Sequence, residues 1–193
     1  MSSYLERMLD DGTDRDRWLA TREGRIGGSD AAKFAKLDSA PLYARDKRRT
    51  FSGNAFTNHG NAREDFLLRT FNIPRNVALF HAEGNERHVA TPDGIRDLTS
   101  GLLLAEAKTT NKPWRTIPRG YLRQIWWTQY VLGAERTLIV WEQHDGFVPI
   151  DFEPKSSFIE RDDTEIAQLI RIADRVLEDL DAAADYEKEL INA

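Results

Sequence analysis

Asp93, Glu106 and Lys108 have types and spacing that can do chemistry. Asp93 stands in Thr91-Pro92-Asp93-Gly94, a turn sequence, and Glu106 and Lys108 follow thirteen and fifteen positions later, at the end of Gly101-Leu102-Leu103-Leu104-Ala105. Carboxylate oxygens are hard ligands, so Asp93 and Glu106 can hold a divalent cation. Lys108 beside them can steady a water or a phosphoryl group, and magnesium with phosphoryl chemistry suits the set. On a strand, Glu106 and Lys108 point to one side and Ala107 to the other. The unbroken Leu102–Leu104 run reads as a strand buried on both faces. Charges at the end of such a strand persist only when paired or metal-bound. Two readings fit these residues: a metal site, and a strand-end ion pair of Glu106 with Lys108 or another neighbour.

The elements that position them are read from periodicity and punctuation. Ser29 is expected to cap a helix through Ala31, Ala32, Phe34 and Ala35. A second helix starts at Pro41 and runs to about Arg49, broken by Phe51-Ser52-Gly53-Asn54. A third spans Asn58 to Phe71 with Ala62, Phe66, Leu67 and Thr70 on one side, and Pro74 closes the region. Strands follow at Val77–His81 and Arg87–Thr91, then a hairpin-like pair, Gly94–Asp97 and Gly101–Ala107. A helix over Arg119–Leu132 ends at Gly133. Strands Thr137–Glu142 and Phe147–Phe152 are joined through His144-Asp145-Gly146. From about Ser157 one long helix carries the stripe Ile166, Leu169, Ile170, Ala173, Val176, Leu177 and Leu180. The expected fold class is α/β, with a central mixed sheet flanked by helices and a long C-terminal helix. One domain spans 1–193: an N-terminal helical region over residues 1–72, a sheet core over 73–155 and a C-terminal helix over 156–193.

The 193 residues suffice for a sizeable core. There is no cysteine, which excludes disulfides, thiol catalysis and zinc–thiolate sites and fits a cytoplasmic protein. Met1-Ser2-Ser3-Tyr4-Leu5-Glu6 does not read as a signal peptide, and no apolar run reaches membrane-spanning length. The net charge of −5 is unevenly spread: residues 160–193 hold eleven acids and four bases, a net of −7, which leaves +2 for the rest. Bases cluster at Arg45, Lys47, Arg48 and Arg49, and at Lys108, Lys112, Arg115, Arg119 and Arg123. A local basic groove serves phosphate binding better than whole-molecule charge does. A solvated helix face accounts equally well for the first cluster.

Further motifs stand in order around the acids. Trp18-Leu19-Ala20-Thr21-Arg22-Glu23-Gly24-Arg25-Ile26-Gly27-Gly28-Ser29-Asp30 sets arginines before a glycine turn and a serine. Gly60-Asn61-Ala62-Arg63-Glu64 places a glutamate on a helix, and Tyr121-Leu122-Arg123-Gln124-Ile125-Trp126-Trp127 a glutamine after an aromatic residue. Over roughly Trp18 to Gly133 this ordered set resembles the PD-(D/E)XK nucleases, and within them the lambda-exonuclease or YqaJ-like viral recombinases. The resemblance implies that the α/β domain is a restriction-endonuclease-like core, and it implies a metal site of Asp93, Glu106, the Ala107 carbonyl and Glu64, with Lys108 and Gln124 at the reacting phosphate. It implies that Arg22, Ser29 and Arg25 receive a 5′-terminal phosphate. Glycines permit close approach, arginine offers a donor fork, and a helix start presents free N–H groups, so the physics agrees. The sequence departs from the family at Trp126, where relatives often carry a second glutamine. Trp126 and Trp127 read as core or subunit-contact residues.

The implied activity is a magnesium-dependent 5′→3′ exonuclease, with manganese able to substitute, acting on ends of double-stranded DNA and leaving 3′ tails for phage-type recombination. The implied partners are a single-strand annealing protein and further copies of the chain in a ring trimer, with no membrane. The alternatives are an endonuclease or CRISPR-adaptation-like nuclease, whose usual iron–sulfur cysteines are absent here, and a non-catalytic DNA-end-binding module.

Overall fold

A computed structural model describes residues 3–48 and 55–191. The break expected at Phe51-Ser52-Gly53-Asn54 and the charge of Arg49 lie outside the described residues. In chain order the elements are β1 (Met8–Asp10), α1 (Arg15–Arg22), α2 (Gly28–Ala31), α3 (Ala40–Lys47), α4 (Ala55–Thr70), β2 (Leu79–Ala82), β3 (Asn85–Ala90), β4 (Gly94–Leu98), β5 (Gly101–Thr110), α5 (Arg119–Leu132), β6 (Arg136–Asp145), β7 (Val148–Pro149), β8 (Lys155–Glu160) and α6 (Asp163–Ile191). Short 3-10 turns cover Tyr4–Arg7 and Leu37–Ser39.

The main sheet is mixed, as expected. β4 pairs antiparallel with β5, β5 runs parallel to β6, and β8 and the short β7 pair antiparallel with β6. A parallel pair needs a crossover, and α5 supplies it between β5 and β6. Its C-terminus is set by Gly133 at φ 75°, the left-handed position that favours glycine. A second sheet, β1-β2-β3, is antiparallel. Trp127 is fully buried and donates its indole N–H to the Val89 carbonyl at 2.9 Å, joining α5 to β3. Trp126 is also buried, so both tryptophans are core residues. Ile166, Leu169, Ile172, Ala173, Val176 and Leu177 bury one stripe of α6, with Ile170 and Leu180 partly buried beside it.

Several elements differ from the sequence reading. The first 72 residues include strand β1, which is too short for a periodic signal and exists through its pairing with β2. The helix expected to open at Ser29 is a single turn: Gly27 is its N-cap, and the Asp30 carboxylate accepts from the Gly27 N–H at 2.9 Å. The inward face of α4 is rotated from the expected one. Leu67 and Leu68 are buried while Ala62, Phe66 and Thr70 are exposed, which puts Glu64, three and four positions before those leucines, on the core-facing side. Leu102 and Leu103 are only half-buried; full burial on β5 begins at Leu104. The strand expected at Phe147–Phe152 shrinks to β7, because Phe147 takes a positive φ of 69° and Pro149 cannot donate to a ladder. Residues 155–160, given to the sheet edge and the final helix in the sequence reading, form β8. The helix starts only at Asp163, where Asp162 accepts from the N–H groups of Thr164 and Glu165 at 3.0 Å each.

Gly94 sits where these layers meet. A Cβ there would lie 2.7 Å from Ile73 Cγ2 and 3.1 Å from both Leu68 Cδ2 and the Pro74 carbonyl. Gly94→Ala is therefore expected to lower stability by about 1–3 kcal/mol, read as an earlier urea midpoint. An unchanged midpoint would show that this crossing has room to give.

Candidate active site

Asp93 lies in the turn between β3 and β4, held by Asn76, whose N–H donates to the Asp93 carbonyl at 2.8 Å and whose side-chain amide donates to the Pro92 carbonyl at 2.9 Å. The β4–β5 ladder begins at Gly94 opposite Ala105. One step beyond it, the Asp93 carboxylate takes the place of a strand carbonyl: its Oδ2 accepts from the Ala107 N–H at 2.8 Å. Alternation along β5 sends Glu106 and Lys108 to the same face. Lys108 Nζ donates to Glu106 Oε1 and lies 4.0 Å from Asp93 Oδ2. Gln124, from α5, donates its side-chain amide to that same Glu106 oxygen. Four side chains from three separate stretches thus meet at one point.

The electrostatics are crowded. Glu106 is 1% exposed. Burial, then the charge of Asp93, push its carboxyl up to about 7 against the opposing pull of Lys108. Burial disfavours the Lys108 ammonium, but Glu106 and Asp93 outweigh it and raise the group above the usual lysine range. Glu64 is also raised, by burial first and then by Asp93, with Arg75 opposing. Its Oε1 accepts from Arg75 Nε at 2.8 Å.

Beside this cluster, Arg22 closes α1, donates to Ser29 Oγ at 2.6 Å, and rests 5.4 Å from the centroid of the Trp18 ring. A cavity of about 140 Å³ is lined by Trp18, Arg22, Gly27, Gly28, Ser29, Thr91, Gln124 and Thr128, among others. Side chains at its two glycines would crowd it: a Cβ on Gly27 would come 3.1 Å from Arg22 Nη2, and one on Gly28 3.2 Å from Gln124 Cγ. A second cavity of about 330 Å³, lined by Arg15, Trp18, Glu64, Arg75, Thr91 and Asp93 among others, shares Trp18 and Thr91 with the first. Arg22 and Ser29 therefore line a cavity adjoining the one that Glu64 and Asp93 line, and Gln124 of the first bonds Glu106. The helix start contributes little, because α2 is one turn and its Gly27 N–H is already taken. Arg25 is turned away: it does not line the cavity, and its guanidinium bonds the carbonyls of Thr21 and, at 3.3 Å, Glu86. The left-handed turn at Gly24 (φ 67°) redirects the chain just before it.

No protein-family model matches the sequence, and no curated protein matches it. Solved structures do match the fold. An alkaline exonuclease from Laribacter hongkongensis, LHK-Exo, superimposes with a TM-score of 0.70 at 20% identity, over 92% of this chain and 98% of that one. The fold is shared with LHK-Exo. The same enzyme in complex with dAMP gives 0.66 at 22% identity, again over 92% and 98% of the two chains. A phage-related exonuclease from Haemophilus somnus 129PT gives 0.58 at 13% identity, over 95% of this chain and 93% of its own.

Arg75 and Thr91 were missed as site residues, and Trp18 was seen only as one residue of a motif. Arg75 reaches Glu64 from eleven positions away across a loop, a separation that no periodic rule selects. A metal can be judged from the donors. Among the described residues no three acid or histidine side chains are grouped tightly enough to enclose an ion. The two carboxylates at Lys108 are hard oxygen donors, and mutual repulsion with burial raises Glu106, a strain that a divalent cation would relieve. The donor chemistry fits magnesium or manganese, with Asp93 and Glu106 as the side chains that would hold it and the Ala107 carbonyl next to Glu106 in the chain; Glu64 is engaged by Arg75. Either metal at about a hundred times its Kd should raise the melting temperature by about 5 °C or more, and Glu106→Ala should remove that shift. An equal shift in the variant would place the ion elsewhere.

Proposed function

We propose that this chain is a divalent-metal-dependent exonuclease that hydrolyses DNA phosphodiesters from the 5′ ends of linear duplexes and leaves 3′ single strands. One observation carries the reading: Asp93, Glu106, Lys108 and Gln124, from three separate stretches of the chain, converge on a single buried oxygen and ammonium beside an arginine–serine cavity. The shared fold with an alkaline exonuclease supports the same class of activity.

Each side chain has a distinct task in this proposal. Asp93 and Glu106 would hold the cation, which when bound supplies Lewis acidity toward phosphoryl oxygen and lowers the pKa of a water. Lys108, whose ammonium Glu106 and Asp93 favour, offsets the charge that grows on the phosphate in the transition state. Gln124 fixes the orientation of Glu106 and faces the cavity from the other side. Arg22 and Ser29 would seat the terminal phosphate: the guanidinium presents a planar fork, and Ser29 already aligns it. Arg25 does not contribute to this seat. By the same resemblance the protein would supply tails to a single-strand annealing protein in phage-type recombination and act as a ring trimer.

The reading is tested with end-labelled linear duplex and closed-circular DNA in magnesium. The linear duplex should be lost from its 5′ ends and the circle spared; cutting of the circle would favour an endonuclease, and no cleavage a binding module. Lys108→Ala should slow turnover roughly 100- to 1,000-fold with DNA binding nearly retained. Collapse of binding instead would make Lys108 an anchor.

Arg22→Ala should erase the preference for 5′-phosphorylated over 5′-hydroxyl ends. An unchanged ratio of the two rates would remove the end-phosphate role from Arg22 and reopen the polarity.

A further inference from the structure

On the side of Lys108 away from Asp93, three aromatic side chains pack against one another and remain partly exposed. β5–β6 register places Trp141 directly beside Lys108, so the two side chains leave the same face of the sheet. The Trp114 ring, in the loop after β5, stacks on Trp141 with centroids 5.4 Å apart and planes 26° apart. It also meets Tyr121 at 5.2 Å, and Lys108 Nζ lies 5.5 Å from the Tyr121 centroid. Trp114, Tyr121 and Trp141 are only half-buried, whereas the core tryptophans Trp126 and Trp127 are almost wholly enclosed. Structural filler does not need this exposure next to a charged cluster.

Two further observations give the aromatic group a direction and a charge. Tyr121, Gln124 and Thr128 lie three and four positions apart, on one face of α5. Thr128 lines the Arg22–Ser29 cavity, Gln124 bonds Glu106 and Tyr121 touches Trp114. One helix face therefore runs from the cavity past the acids to the aromatic group, over about 10 Å of helix axis. Around the group, Arg119 is paired with Glu165, but Lys112 and Arg115, which flank Trp114 in the chain, have no carboxylate partner among the described residues.

We infer that Trp114, supported by Trp141 and Tyr121, is a base-stacking platform for a single DNA strand running on from the acid cluster, with Lys112 and Arg115 facing its phosphates. Flat aromatic faces edged by uncompensated cations are the chemistry that receives a single-stranded nucleic acid, since every base has a face to stack and every linkage a negative charge. An apolar protein partner would match the rings but leave the two cations unpaired. The inference rests on the nuclease reading above and adds the path of the strand beyond the site.

The probe is oligothymidylate in EDTA, which allows binding without hydrolysis, followed by intrinsic tryptophan fluorescence. Wild-type protein should be quenched on binding. Trp114→Ala should bind about tenfold more weakly, and Trp114→Phe, which keeps a ring, should bind within about threefold of wild type while losing some of the quench. Replacing Lys112 and Arg115 together by alanine should flatten the slope of log affinity against log salt by about 1.4. Wild-type affinity in Trp114→Ala, or an undiminished quench in Trp114→Phe, overturns the platform and leaves the nuclease reading intact. No binding of oligothymidylate by the wild-type protein at low salt also overturns the platform, and the nuclease reading is then decided by the duplex digestion above.

Discussion

The bond from the Ala107 N–H to the Asp93 carboxylate is the contact on which the site depends. A strand ladder ordinarily continues carbonyl to amide, but β4 starts at Gly94, two residues after Pro92, the position that would face Ala107 in this register. The carboxylate fills that position at 2.8 Å. An acid at the turn is thereby fixed to the strand that carries Glu106 and Lys108, and no flexible loop intervenes. Because β5 is sandwiched between β4 and β6, the geometry of the acid cluster inherits the rigidity of the central sheet.

That cluster is held against its own electrostatics. Two carboxylates and an ammonium share a buried point, and Glu106 keeps a proton affinity well above that of a carboxylate in water. Buried charges of this kind are weak contributors to stability, since desolvation offsets much of their attraction. The surrounding packing sustains them: Leu67, Leu68, Ile73, Ala105, Leu138 and Val140 form one apolar cluster directly under the site. A second, larger cluster between α5, α6 and the small sheet holds the crossover helix that delivers Gln124. Arg7 adds a remote tie, its guanidinium donating to the His81 carbonyl at 2.7 Å and to the last carbonyls of α5. Carbonyls at a helix C-terminus lack intrahelical partners, and a cation there is favourably placed.

What was legible in the sequence follows how local each signal is. α5 was read to its exact ends because an amphipathic run meets a left-handed glycine, a signal contained within fifteen residues. The β4–β5 hairpin was legible for the same reason. The inward face of α4 was misread because Ala62, Phe66 and Thr70 look apolar in a row, whereas the buried side is chosen by contact with β5 and β6. Arg63 illustrates this choice. It forks onto Glu142 of β6 at 3.0 and 2.5 Å and covers the Phe66 ring, turning that phenylalanine outward. β8 was missed because Lys155–Glu160 has little local preference and becomes a strand by pairing with the edge of β6. Arg25 is assigned with Arg22 and Ser29 by the resemblance, but after the turn at Gly24 its guanidinium bonds the Thr21 and Glu86 carbonyls and does not line the cavity.

Taken alone, the amino-acid order determined which functional groups exist and how neighbours within one element relate. Alternation along a strand is enough to put Glu106 and Lys108 on one side, and glycines are enough to mark where the backbone must bend or be approached. Tertiary structure decided which of those groups meet. It brought Asp93 to Ala107, gave Glu64 to Arg75, joined the Arg22–Ser29 cavity to the acids through Gln124, and set an aromatic face beside Lys108. Those pairings depend on sheet register and helix rotation, which burial of the whole core selects, and no stretch of a few residues contains that information.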